Sequence, residues 1–266
     1  MTHHTLLSGP QEVIGKRWRE NQSPEQARIL GLARDALLYV SATGQQYRFE
    51  DFRKSFESGA PPSEGAMPVP GRLAELGKRS SRAEAFFTKL RDETDSAEER
   101  EQLQVILDTL HFISSTGQHG AFGEYLEHVE AGAPPYVIAS FETREEAEAW
   151  LGNHPSPPVS ANVLIANDYH DVLYDRETNS RRLPRNRDLE YYLAELKREE
   201  PPVAAASFAS RKEAEAWLKA QSEPARWAWV SIAGEMYLAA YHPNIGHRTL
   251  YPLSMAEGYE LEPDEP

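Results

Sequence analysis

The chain has 266 residues, with 42 Asp and Glu against 28 Lys and Arg, a formal net charge of −14 and no cysteine. The lack of cysteine excludes disulfides, thiolate nucleophiles and thiolate-held metals and fits a reducing compartment, and the acidity argues against nucleic acid, whose phosphates are bound by clustered Lys and Arg. Apolar content of 40% is enough for a packed core; residues 1–9 lack a charged-then-apolar leader, and no stretch approaches the roughly 20 apolar residues of a membrane span, so a cytoplasmic location is expected.

The first elements in chain order form a helical duplication. Residues 23–62 align without gaps on residues 96–135, with about 15 of the 40 positions identical. Each copy reads as two helices. Ser23 with Gln26, and Ser96 with Glu99, have capping-box spacing at a helix start. Leu30, Ala33, Leu37 and Val40 then share a helical face, as do Leu103, Ile106, Leu110 and Ile113. Thr43-Gly44-Gln45 and Thr116-Gly117-Gln118 follow as C-capped turns; they lack the glycine spacing and the lysine of a phosphate-binding loop. A second short helix carries Phe49, Phe52 and Phe56, matched by Phe122, Tyr125 and Val129. Gly-Ala-Pro-Pro ends both copies. Between them, 61–70 reads as a loop, and Ala83, Phe86, Phe87 and Leu90 mark a further helix.

A second duplication follows. Residues 135–184 align on 202–251 with about 19 of 50 identities, around the cores ASFETREEAEAWL (139–151) and ASFASRKEAEAWL (206–218). Each copy opens on a short extended run. A helix capped by Thr143 and Glu146, or by Ser210 and Glu213, comes next. After prolines come two β-like runs, 162–166 with 170–174 and 229–233 with 236–241, turned at Asn167-Asp168 and Gly234-Glu235. Each copy is therefore a β-α-β-β unit, joined to the other by a helix with Leu189, Tyr192, Leu193 and Leu196 on one face. Such a unit buries little surface alone, so the two are expected to share a core, by pairing strands or by packing sheet faces. The fold class is α+β: a helical half, 1–134, and a mixed half, 135–266.

No segment carries a catalytic signature. There is no Gly-x-Ser-x-Gly elbow and no Gly-x-Gly-x-x-Gly after a strand. Asp168 and His170 lie on one side of a strand in a polar cluster, but without metal-motif spacing. His242, His247 and Arg248 sit on a polar loop suited to acid–base chemistry or anion binding. Only the arginine recurs in the first copy, as Arg181, and both arginines read more simply as holding a strand end. Trp227, beside a proline break, is a candidate interface anchor. No metal, cofactor or catalytic residue is expected. Asp168, His170, Trp227, His242, His247 and Arg248 are the candidate contacts to a partner.

The stretches 140–151, 207–218 and 116–135 resemble a group of paralogous myxobacterial proteins with tandem SFxTREEAEAWL-type repeats, over about the last 150 residues. Some of these resemble immunity proteins that neutralise toxins. The resemblance implies an intracellular protein-binding protein whose acidity suits a basic toxin; a scaffold with several partners is the alternative, and a ligand binder or enzyme using the 242–248 loop the third reading.

Overall fold

The computed structural model describes residues 6–20, 23–57, 72–199 and 202–257. The expected loop at 61–70, the first Gly-Ala-Pro-Pro stop, the Phe56 side chain and the acidic residues from Glu260 to Glu265 lie outside the described residues. The chain is α+β and divides into two compact units, 1–127 and 128–266.

In the first unit, α1 (Ser8–Arg19) precedes the helix pair α2 (Pro24–Ala42) and α3 (Gln46–Glu57). A long helix α4 (Arg72–Glu93) leads to the second pair, α5 (Ala97–Ser115) and α6 (His119–Glu130), whose last residues, from His128, belong to the second unit. The capping residues act as their spacing predicts. Ser23 accepts from the Gln26 N–H while Gln26 reaches back to the Ser23 N–H, and Ser96 accepts from the Glu99 N–H. Both predicted stripes, from Leu30 to Val40 and from Leu103 to Ile113, are buried.

The pairs pack on each other reciprocally. Tyr39 of the first meets Phe122 of the second at 5.3 Å between ring centres, and Phe49 of the first meets Phe112 of the second at 5.6 Å. These four rings occupy two pairs of equivalent repeat positions, so the contact is made twice. The capped turns take part in this clasp. Gly44 and Gly117 adopt left-handed backbone, at φ 68° and 71°, which residues with a Cβ rarely tolerate. The turns then meet: the Gln45 amide donates to Gln118 Oε1 at 2.8 Å, and the Tyr39 hydroxyl donates to the same oxygen at 2.9 Å.

The second unit holds two four-stranded sheets. The first contains β1 (Val137–Phe141), β2 (Ala161–Ile165), β3 (Asp168–Asp175) and β4 (Ser180–Arg182), in that order, with helix α7 (Arg144–Asn153) between β1 and β2. Helix α8 (Asp188–Glu199) links it to the second sheet: β5 (Ala206–Phe208), β6 (Trp227–Ile232), β7 (Glu235–His242) and β8 (His247–Pro252), with α9 (Arg211–Ala220) between β5 and β6. In each sheet the first two strands are parallel, as a helical crossover requires, and the rest antiparallel. Each copy thus has one strand more than expected, β4 or β8. The hairpin turns also sit one residue earlier, at Ala166-Asn167 and Ala233-Gly234. All four turn residues have positive φ, the type I′ signature that matches strand twist.

One face of each sheet is covered by its own helix: Ala147 and Leu151 on Val163, Ile165 and Val172, and Ala214 and Leu218 on Val230, Ile232 and Ala239. The opposite faces share a single core. Val137, Leu164 and Tyr169 of the first copy meet Trp229, Leu238, Ala240 and Tyr251 of the second, with Leu189 and Leu193 of α8. Of the two expected arrangements, the copies therefore adopt face packing, which buries the apolar side that each would expose alone.

Candidate functional site

The six residues singled out in the sequence do not converge on one pocket. His170 is buried and its Nδ1–H donates to Leu183 O at 3.1 Å, tying β3 to the segment after β4. Asp168 lies 3.8 Å from the Arg185 guanidinium, which also binds Glu190 at 3.0 Å. Trp227 is half-buried; its indole N–H donates to Ala131 O at 2.9 Å and its ring meets Trp229 edge-on. The indole N–H of the candidate interface anchor is thus satisfied within its own unit.

The polar loop is shorter than the sequence suggested. His242 ends β7 and His247 begins β8, and the two are register partners across the hairpin. Only Pro243 to Gly246 turn between them, with Gly246 in left-handed backbone at φ 63°. His242 is fully buried, and neither ring nitrogen has a hydrogen-bond partner. Its ring lies against Tyr169 and stacks on His247. Burial, reinforced by His128, His247 and Arg226, pushes its pKa down to about 3, so it is neutral.

His247 does something different. Its Nε2–H donates to Asn167 Oδ1 at 2.8 Å, which leaves Nδ1 to accept from the Ser140 hydroxyl at 3.2 Å. Ser140 and Asn167 belong to the first copy and His247 to the second, so this chain crosses the junction. Nearby, the Asn244 amide donates to Val137 O at 2.7 Å, again from second copy to first. The hydroxyl–imidazole–amide order is one that acyl-transfer enzymes use to activate a nucleophile. Here all three side chains are partly buried and each bond links the two copies.

Arg248 and Arg181 have one role, repeated. Arg248 donates through Nη1 to Lys219 O at 2.8 Å and to Leu218 O at 3.3 Å, and through Nη2 to Gln221 O at 3.1 Å. Arg181 donates to Leu151 O at 2.8 Å and to Gly152 O. Each arginine therefore satisfies the orphan carbonyls at the C-terminus of its own repeat's helix, where a cation also complements the helix dipole. Each guanidinium also covers a tyrosine, Tyr174 at 5.6 Å and Tyr241 at 5.1 Å.

Beside each capping arginine is a cleft, and the two clefts are lined at equivalent repeat positions. The first, of about 530 Å³, is bounded by Arg144, Glu148, Gly152, Arg181 and Arg182. The second, of about 450 Å³, is bounded by Arg211, Glu215, Lys219, His247 and Arg248, with Glu142 and Asn167 at its margin. Arg144 pairs with Glu148 at 2.8 Å and Arg211 with Glu215 at 2.9 Å, each across one helical turn. Sequence reasoning passed over these pairs. The signal that reveals them is the R-x-x-x-E spacing shared by the aligned copies.

Comparisons with protein-family models, curated proteins and solved structures found no match, so the functional reading rests on this geometry and on the sequence.

Proposed function

We propose that this chain is a non-catalytic protein-binding protein, most concretely an immunity-type inhibitor that covers a basic toxin. The observation that carries the reading is the charge. A formal −14 surrounds a framework in which His170, Arg181, His247 and Arg248 are engaged in holding backbone or the junction between copies. Carboxylates stand exposed at the α4–α5 turn (Asp92, Glu93, Asp95, Glu98) and at the start of α7 (Glu142, Glu145). A surface of one sign steers an oppositely charged partner and speeds encounter, with an effect that salt suppresses. The resemblance to paralogous repeat proteins, some of which resemble immunity proteins, is in keeping with this, and the reducing, cytoplasmic location expected from the sequence would suit such an inhibitor.

The test is affinity capture of the tagged chain from native lysate at low and high salt, with mass spectrometry. One stoichiometric basic partner, partly released by salt, supports the inhibitor reading. Several substoichiometric partners would favour a scaffold instead, and no enriched protein at either salt would overturn a constitutive tight complex.

A further inference from the structure

We infer that the junction between the two copies of the second unit is an acid-operated latch: protons taken up by imidazoles buried in it part the two sheet faces while each sheet keeps its own helix. Strand alternation carries His242 there. Leu238 and Ala240 of β7 belong to the shared core and Ala239 to the face under α9, so His242, two residues on from Ala240, joins the shared side. It is fully buried, with its ring 6.5 Å from that of Tyr169 of the first copy. An apolar side chain would fill this place without leaving two ring nitrogens unpartnered. The aligned residue of the first copy is Asp175, so the strand position itself does not call for an imidazole. Two more imidazoles border the junction. His247 stacks on His242, with ring centres 6.5 Å apart, and carries the bonds to Ser140 and Asn167 that cross between the copies. His128 is buried at the end of α6, with Nε2 on Pro134 O and Nδ1 without a partner.

The surroundings decide the response. His242 is faced by His247 on β8, Tyr169 on β3, His128 on α6 and Arg226 just before β6. Helix α8 adds Tyr192 beside Tyr169, and β1 and β2 add the apolar Val137 and Leu164. The carboxylates of this region act on other groups: Glu142 on His247, Asp168 on Tyr251 and Asp188 on Tyr169. None is among the charges acting on His242. A proton on His242 is therefore an unpaired cation in an apolar core, next to a guanidinium and two further imidazoles. Water reaches it when the two faces separate. The opposite faces stay covered, because Ala147 and Leu151 pack on the first sheet, and Ala214 and Leu218 on the second, away from the junction. Hydrated, the imidazole titrates near 6.5; buried, near about 3. The closed junction is thus favoured above about pH 6.5 and loses ground as pH falls towards about 3. Between neutral pH and about pH 5 this one proton raises the ratio of open to closed roughly thirtyfold.

The tryptophans supply the test. Trp227 and Trp229 belong to the shared core, whereas Trp150 and Trp217 pack against the outer layers. The experiment is fluorine NMR of the full chain labelled with 5-fluorotryptophan, titrated from about pH 8 to about pH 4, with resonances assigned by single Trp→Phe substitutions. In acid the signals of Trp227 and Trp229 should move reversibly to solvent-exposed shifts while those of Trp150 and Trp217 stay native. His242→Leu should cut the acid response by the same factor of roughly thirty at about pH 5. His242→Gln, polar but without a titrating proton, should do likewise, and it keeps the test decisive where the leucine variant fails to fold. Exposure of all four tryptophans together would make the transition general acid unfolding and overturn the latch. No change at Trp229 down to about pH 4, or a parent-like response in the variants, would overturn it as well.

Discussion

The buried, unpartnered His242 makes a quantitative statement about acid stability. In the unfolded chain its imidazole titrates near 6.5; in the folded chain burial holds its pKa down to about 3. The unfolded state therefore takes the proton first, and the folded state loses stability as pH falls from about 6.5 towards about 3. At about pH 5 the linkage costs about 2 kcal/mol, and the limit below both pKa values is on the order of 5 kcal/mol. His128, on the last turn of α6, adds a similar term: it is buried, its Nε2–H donates to Pro134 O at 2.7 Å, and its pKa is lowered to about 4, first by burial. His242→Leu removes the titrating group without breaking a hydrogen bond, because neither ring nitrogen has one. It should leave the chain as stable at neutral pH, or more stable by about 1–3 kcal/mol from relief of unmet polar atoms. It should also cancel about 2 kcal/mol of the loss between about pH 8 and about pH 5. Urea titration followed by tryptophan fluorescence reports this, since every tryptophan except Trp18 lies in the second unit. A variant that loses as much stability on acidification as the parent, or that is clearly weaker at neutral pH, would refute the reasoning.

Four further outcomes are expected. Arg248→Ala frees three carbonyls at the end of α9 and uncovers Tyr241, so urea denaturation should show a loss of about 2–3 kcal/mol. Gly246→Val forces a β-branched residue into left-handed backbone and should cost about 1–3 kcal/mol, whereas Gly246→Asn should cost much less, since Asn179 adopts φ 52° at the aligned position of the first copy. Gln118→Ala deprives the Gln45 amide and the Tyr39 hydroxyl of their shared acceptor, and thermal melting should register a loss of about 1–3 kcal/mol. A fluorophosphonate probe should leave Ser140 unlabelled; stoichiometric labelling that disappears in His247→Ala would instead make the Ser140–His247–Asn167 chain an acyl-transfer site.

Much of the fold is legible because its signals are local. Capping residues such as Ser23 and Thr143 act on N–H groups three positions away, and the apolar stripes repeat every turn. The duplications made each reading twice over. What stayed hidden depends on distant partners. The strand Ser180–Arg182 is three polar residues at a sheet edge, too short for alternation to register. The hairpin turns were displaced by one residue because alanine, at Ala166 and Ala233, is an unexpected occupant of left-handed backbone. His242 reads as a polar loop residue, yet the pairing of β7 with β8 carries it into the core. The clefts escaped notice because Arg144 and Glu148 look like an ordinary surface pair until the same pair is found in the second copy.

The core shared by the two copies of the second unit also has a consequence for synthesis. Until β6 to β8 of the other copy exist, the face bearing Leu164 and Tyr169 has only Leu189 and Leu193 of α8 for cover. A ribosome adds roughly 5–20 residues per second, so the interval between completing β4 and completing β8 is roughly 3–14 s. During it the nascent first copy displays an apolar sheet face that a like copy on a neighbouring polysomal chain could meet. His247 and Asn244, which reach across to Asn167, Ser140 and Val137, are supplied only by the later copy: the aligned residues of the earlier one are Ser180 and Glu177. Pairing of two first copies therefore lacks this polar clasp, and the unlike pair within one chain is favoured once it emerges.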